Sequence, residues 1–228
     1  MKGNEKRPGS TGVFITFEGP EGSGKSTHAR LLKERLESRG KSVLLTREPG
    51  GTPLGETLRG LLQHNHAGEA PVDRAEVMLF LASRAQLCER VIRPALDAGA
   101  WVLCDRFTDS TLAYQGYGRG FDPAALRAMN AFSTAGLVPD LTLLLDIPLE
   151  TSLSRVNQRG LATDRIEAAG ADFHRRLRDG FLQIAKDEPG RFAIIQSGDA
   201  PEAVAAKIWL KISTFLNPKI PKCNSTTP

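Results

Sequence analysis

Short runs of apolar and β-branched residues recur along the chain, separated by longer segments of mixed polarity. The predicted strands are residues 13–18, 42–46, 101–105, 141–146 and 192–196. The connecting segments have helical character, with one helix running to about Arg39 before Gly40 and others covering about 52–64 and 71–98. Long connections between strands favour parallel pairing. We therefore expect an α/β fold, a doubly wound five-stranded parallel sheet with helices on both faces.

The charge distribution limits the classes of partner. The chain has 228 residues, a net charge of +4 and a pI near 9.1, which raises the question of nucleic-acid binding. Segments 1–12 and 217–228 each carry a net charge of +2, so residues 13–216 are neutral. We predict that both terminal segments are disordered. We expect one domain over 13–216 and no nucleic-acid partner.

The apolar content is equally restrictive. No run of about 18 apolar residues could span a membrane, and the N-terminus lacks the apolar stretch of a signal peptide. The three cysteines, Cys88, Cys104 and Cys223, are too few and too widely spaced for a disulfide framework or a metal site. We therefore expect no membrane partner and a cytoplasmic protein.

A phosphate-binding loop follows the first predicted strand and precedes a predicted helix. The motif G-x-x-x-x-G-K-[ST] is matched by Gly19, Pro20, Glu21, Gly22, Ser23, Gly24, Lys25 and Ser26, and Thr27 follows. Glycines let backbone N–H groups approach phosphate oxygens, and the helix N-terminus adds positive charge. Lys25 is expected to face solvent and to reach the β- and γ-phosphates of ATP. The alternative is a glycine-rich turn with a surface lysine.

Magnesium would require oxygen ligands near these phosphates. Ser26 is one candidate, and two strands end in a carboxylate, at Asp105 and Asp146. We favour Asp105 because Arg106 follows it and would place a cation beside the same phosphates. Asp146 is expected to be an ordinary strand exit. A helix N-cap is the alternative role for Asp105.

The remaining motifs distinguish between classes of P-loop protein. No N-K-x-D motif for guanine is present, and the chain is short for a transporter or helicase ATPase. A kinase that phosphorylates a hydroxyl group needs a general base, whereas an acceptor phosphate needs cations around two polyanions. Arginines suited to that task are Arg47, Arg84, Arg106, Arg155, Arg159 and Arg165. This favours the nucleoside monophosphate kinase type.

Several sequence blocks resemble bacterial thymidylate kinases over about residues 13–212. They are FITFEGPEGSGKST (14–27), TREPGGT (46–52), AEVMLFLASRAQL (75–87), DRFTDSTLAYQGYGRG (105–120), PDLTLLLDIP (139–148) and QRGLATDRIE (158–167). The resemblance implies phosphorylation of dTMP to dTDP with ATP and Mg²⁺, and a homodimer formed through packed helices. The alternatives are a kinase for another nucleoside monophosphate and a nucleotide-binding regulator with little or no hydrolysis.

The resemblance also implies roles for the acceptor side. It places Phe80 against the thymine ring, Arg84 at a pyrimidine carbonyl, Thr111 and Gln115 at the base, Tyr114 at the sugar, Arg106 at the acceptor phosphate, Glu21 at the 3′-hydroxyl and Pro49 in a turn that meets the acceptor. From the residues alone, Phe80 could equally pack in the core, Arg84 could be a solvated helix residue, and Glu21 could be a tolerated variable position. Arg47 could contact phosphate or pair with Glu48.

Residues 155–171 are predicted to form a lid between two helices. The segment is rich in Gly, Ala, Asp and Arg, a composition that suits a loop closing over ATP and excluding water. Because the phosphate loop has no arginine, Arg155, Arg159 and Arg165 are candidate catalytic cations. Arg159 is preferred because it precedes Gly160 and matches the lid arginine of the bacterial relatives. The loop 197–200 is expected to flank adenine.

Overall fold

The sheet is five-stranded and entirely parallel. The computed structural model describes residues 12–63, 69–158 and 170–216. The strands are β1 (Val13–Glu18), β2 (Val43–Arg47), β3 (Trp101–Asp105), β4 (Leu141–Asp146) and β5 (Phe192–Gln196). They lie in the order β2-β3-β1-β4-β5. The predicted fold class is confirmed. The second strand lies one residue later than predicted, because Thr46 and Arg47 still pair with Cys104 and Asp105.

Helices fill the connections between strands. The α-helices are α1 (Lys25–Glu37), α2 (Pro53–Gln63), α3 (Asp73–Leu87), α4 (Arg93–Asp97), α5 (Thr108–Thr111), α6 (Pro123–Ser133), α7 (Leu149–Gln158), α8 (Ala171–Asp187) and α9 (Pro201–Leu216). The single helix predicted over 71–98 is instead α3 and α4 joined by a π-helical turn, Cys88–Ile92. A second π-helical segment, Leu112–Gly118, continues α5.

Both faces of the sheet are buried, which explains the nearly continuous apolar runs in the sequence. On one face, Phe17 and Leu143 pack with residues of α1 and α9. On the other face, Phe14 packs with the helices that precede β3, and Leu144 packs with Phe181 of α8. The described part of the chain contains no helix with the length and apolarity needed to cross a membrane.

The site lies at the carboxyl ends of the strands. β1, β3 and β4 end in Glu18, Asp105 and Asp146, and the strand order reverses around β1. In open parallel sheets, ligands bind in the crevice at such a switch point. The terminal segments 1–11 and 217–228, Cys223, Arg159, Arg165 and most of the predicted lid lie outside the described residues.

Candidate active site

The phosphate-binding loop joins β1 to α1 through backbone conformations that favour glycine. Gly19, Gly22 and Gly24 have φ values of 134°, 71° and 90°. A Cβ atom on Gly19 would lie 2.4 Å from the backbone oxygen of Leu145. The turn therefore favours glycine at all three positions, and close packing against Leu145 also requires it at position 19.

Lys25 does not face solvent, so that expectation was wrong. Its side chain is 7% exposed, and Nζ donates to the carbonyl oxygens of Gly19 at 2.9 Å and Pro20 at 2.7 Å. The ammonium group folds back because the loop carbonyls are the nearest acceptors. Burial, followed by the charge of Arg106, lowers the pKa of Lys25 to about 8.

The two predicted metal ligands lie together. The Ser26 hydroxyl donates to Asp105 Oδ2 across 79 positions of sequence. Both offer hard oxygen atoms, which suits Mg²⁺. Within the described ranges there is no cluster of three or more His, Cys, Asp or Glu residues able to hold a metal. Asp146 is engaged elsewhere, because its carboxylate accepts from Arg178 Nε at 2.6 Å and Nη2 at 2.9 Å.

Arg106 contacts the phosphate loop and, through Glu21, is linked to Tyr114. Its φ of 71° lies in the left-handed region, and its guanidinium donates to Gly19 O at 3.2 Å and Glu21 Oε1 at 2.9 Å. The Tyr114 hydroxyl also donates to Glu21 Oε1. Glu21 Oε2 is buried and has no hydrogen-bond partner among the described residues. Burial tends to raise the pKa of Glu21, but the charges of Arg106 and Lys25 outweigh it and lower the pKa.

A cleft of about 640 Å³ adjoins this cluster. From the phosphate side it is lined by Glu21, Gly22, Gly24, Lys25, Ser26, Thr27, Asp105 and Arg106. The lining also includes residues predicted to bind the acceptor, which are Pro49, Phe80, Arg84, Thr111, Tyr114 and Gln115. The structure thus brings all eight residues proposed for dTMP to one cavity. Gly19, Pro20 and Ser23 of the loop are not among its lining residues.

Arg84 is not a solvated helix residue. It is 1% exposed, and its Nε and Nη2 donate to Glu48 Oε2 at 2.9 and 2.6 Å. It also donates to Asn130 Oδ1 at 2.6 Å, Phe107 O at 3.1 Å and Thr111 Oγ1 at 3.0 Å. Arg84 therefore reaches the cleft from a buried network whose central member, Glu48, sequence reasoning did not identify.

Comparisons with known proteins agree with this geometry. A sequence model of the family described as thymidylate kinase matches residues 17–208. The chain belongs to the thymidylate kinase family.

Individual relatives cover most of the chain. A thymidylate kinase of Desulfovibrio desulfuricans is 50% identical over 210 residues, covering 90% of this chain and 96% of that protein. One of Solidesulfovibrio magneticus is 49% identical over 210 residues, covering 90% and 100%. The crystal structure of thymidylate kinase from Ehrlichia chaffeensis aligns with a TM-score of 0.72 at 33% identity, covering 88% of this chain and 98% of that one. The predicted family and the predicted activity, phosphorylation of dTMP to dTDP in nucleotide biosynthesis, are confirmed at this level.

Phe80 lies between the core and the cleft of this thymidylate kinase. It is half-buried on α3, belongs to none of the buried core clusters of the described chain, and lines the cleft. Its neighbour on the opposite side, Met78, is 58% exposed. The placement favours a ring available to a ligand over simple core packing.

Glu18 is a site residue that the sequence did not reveal. It is fully buried, and its carboxylate accepts from Phe107 N at 2.8 Å and from the Ser110 hydroxyl at 2.6 Å. The Ser110 oxygen in turn accepts from Arg106 Nη1 at 3.3 Å. Burial, followed by the charge of Asp109, raises the pKa of Glu18 to about 8. Glu18 therefore fixes the turn that carries Arg106. Its position at the end of β1, directly before the phosphate loop, was the available signal.

Two arginines lie near the turn that contains Pro49, and the sequence did not predict their partners. Arg47 pairs with Glu56 at 2.9 Å and not with Glu48. Arg59, which the sequence analysis missed, donates to Pro49 O at 3.2 Å. Both line the cleft, so both add positive charge to its wall.

Arg155 is the described member of the lid arginines. Its guanidinium donates to the carbonyl oxygens of Gly22 at 3.3 Å, Ser197 at 3.1 Å and Gly198 at 3.1 Å. It ties the phosphate loop to the loop after β5 and is not part of the cleft lining. Its predicted catalytic role, like those of Arg159 and Arg165, stays a prediction.

Proposed function

We propose that this chain transfers the γ-phosphoryl group of ATP directly to the phosphate of dTMP within the cleft of about 640 Å³. The observation that carries the proposal is that the phosphate loop and the acceptor residues line one cavity, with Arg106 between them. A shared cavity holds donor and acceptor in the orientation that an in-line displacement requires.

The ATP side uses Lys25, Ser26 and Asp105. The phosphates of ATP would replace the carbonyl oxygens that Lys25 now contacts, because an anion is the stronger partner for an ammonium group. Ser26 and Asp105 would hold Mg²⁺, and the metal, when bound, neutralises charge on the phosphate oxygens.

The acceptor side uses Glu21 and Arg106. Glu21 Oε2 is a buried acceptor without a partner among the described residues, and a buried acceptor in that state costs roughly 1–3 kcal/mol. A 3′-hydroxyl group would supply the missing donor. Arg106 would bind the acceptor phosphate, and Tyr114, held against Glu21, would contact the sugar edge.

The base subsite is formed by residues from α3 and from the segment after Arg106. Phe80 would stack on thymine, and Arg84, Thr111 and Gln115 would contact its polar edge. No general base is needed because the acceptor phosphate is already an anion. Charge that develops during transfer would be stabilised by Lys25, Arg106 and the lid arginines.

An ADP-release assay with dTMP, dUMP, dCMP, AMP and GMP tests the proposal. We expect dTMP to be the best substrate and dUMP the closest competitor, weaker by about 1–3 kcal/mol for the missing methyl contact. Phe80→Leu should raise the KM for dTMP, whereas Met78→Leu on the same helix should not. Equal kcat/KM values for dTMP and AMP would refute the assignment.

We also propose a homodimer formed through α3 and α6. These helices pack together and carry two large apolar residues, Met78 and Phe132, which are 58% and 89% exposed. An interface between subunits would remove both of these apolar side chains from water. A cytoplasmic location stays a prediction from the sequence.

A further inference from the structure

A buried carboxylate lies behind the base subsite. Glu76 of α3 has no exposed surface, and its Oε1 accepts from Gln115 Nε2 at 3.0 Å. Arg119 donates to the same carboxylate through Nε and Nη2, both at 3.0 Å. Arg119 also pairs with Asp73 at 3.1 Å. Glu76 is thus held in place from a second side while it contacts Gln115.

This contact determines which way the Gln115 amide points. An ionised carboxylate only accepts hydrogen bonds, so the NH₂ group of Gln115 must face Glu76. The carbonyl oxygen of the amide is then the polar atom left for the cleft, which Gln115 lines although it is only 2% exposed. The cleft therefore presents a hydrogen-bond acceptor, the Gln115 carbonyl oxygen, and a hydrogen-bond donor, the Arg84 guanidinium.

We propose that Glu76 is a positioning residue that makes this enzyme select bases carrying an N3–H group. Thymine and uracil offer a donor at N3 beside an acceptor at O4, which match the Gln115 oxygen and the Arg84 guanidinium. Cytosine offers an acceptor at N3 and a donor at its 4-amino group, so it matches neither. The inference rests on the proposed function and adds a residue that strengthens the exclusion of cytosine.

The selection is strong because the alternative orientation of the amide is unfavourable. Flipping Gln115 would offer its NH₂ group to cytosine N3, but it would place the amide oxygen against the Glu76 oxygen. Two acceptors would then face each other in a buried position, where an unmade hydrogen bond is costly. Glu76 therefore removes the conformer that would donate to cytosine N3, and the mismatch between Arg84 and the 4-amino group adds to the selection.

The test is Glu76→Gln, assayed with dTMP, dUMP and dCMP. A glutamine at this position can present either an oxygen or an NH₂ group, so both orientations of Gln115 become available. We expect the ratio of kcat/KM for dTMP over dCMP to fall by about tenfold or more. The ratio for dTMP over dUMP should not change, because both bases carry N3–H. A structural defect would lower all three values together.

Asp73→Asn is the matched control, because it removes a carboxylate from the same network without touching Gln115. It should leave both ratios unchanged. If Glu76→Gln does not fold, the double variant Glu76→Met/Arg119→Met serves instead, since it removes both charges, leaves Gln115 free to take either orientation and should lower the same ratio. A folded variant of either kind with the wild-type dTMP to dCMP ratio would overturn the inference. A wild-type enzyme that does not prefer dTMP to AMP would instead overturn the proposed function.

Discussion

Glu48→Gln is expected to be strongly destabilising, because Glu48 is the counter-charge of a guanidinium that has almost no contact with solvent. The side chains of Arg84 and Glu48 are 1% and 4% exposed, and their closest atoms are 2.6 Å apart. The substitution keeps the shape of the side chain but replaces one acceptor oxygen with an NH₂ group. That group would face the N–H groups of Arg84, so a buried cation would lose its charge partner and a hydrogen bond.

The magnitude follows from the burial. Burial opposes the charge of Arg84, but the Glu48 carboxylate outweighs it and raises the pKa of Arg84, so the guanidinium stays charged. Removing one partner of such a pair costs about 3–5 kcal/mol. For a protein of this length that corresponds to a fall in Tm of roughly 6–20 °C. The remaining acceptors, at Asn130, Phe107 and Thr111, keep the loss from being larger.

Thermal and urea denaturation measure the effect, with Glu37→Gln as the matched control. Glu37 pairs with Lys33 at 3.0 Å, but their side chains are 42% and 33% exposed, so this pair should contribute no more than about 1 kcal/mol. The KM for dTMP should also rise in Glu48→Gln, because Arg84 loses its anchor. The expected fall in Tm is roughly 6–20 °C. If Glu48→Gln instead melts within about 2 °C of the wild-type protein, the reasoning about the buried pair is wrong.

Three further predictions concern the phosphate side, the lid and the dimer. Burial lowers the pKa of Lys25 to about 8, so the charge that binds the ATP phosphates is lost as pH rises above that value. We therefore expect kcat/KM for ATP to fall above pH 8 and kcat at saturating ATP to fall less. Parallel pH profiles of the two quantities would contradict this. Arg159→Ala should lower kcat by roughly 100-fold with little change in the KM for dTMP, and a near-normal kcat in rapid-quench assays would exclude this arginine. Phe132→Glu should yield monomers in light scattering. Leu210→Glu, which makes the same apolar-to-acidic change at an exposed position of α9, should not. A dimeric Phe132→Glu protein would exclude the α3 and α6 interface.

Much of the fold was predictable because its signals are local. The strands 13–18, 101–105, 141–146 and 192–196 have the predicted bounds, since both faces of the sheet are buried and the apolar runs are nearly continuous. The second strand was misplaced by one residue because its exposed end, Arg47, lacks an apolar signal. The break of the predicted helix 71–98 into α3, a π-helical turn and α4 could not be foreseen, because these residues remain helical throughout.

The sequence by itself determined the phosphate loop, because its glycines, lysine and serine are adjacent and their spacing reflects one turn. Through its resemblance to a family, the sequence also predicted which residues form the base subsite. Only the tertiary structure decided the partners of those residues. Glu18 meets Ser110, Glu48 meets Arg84 and Glu76 meets Gln115 across 92, 36 and 39 positions of sequence. Each pair joins two segments that pack at the carboxyl edge of the sheet, and a buried charge takes whichever partner that packing brings within hydrogen-bond distance.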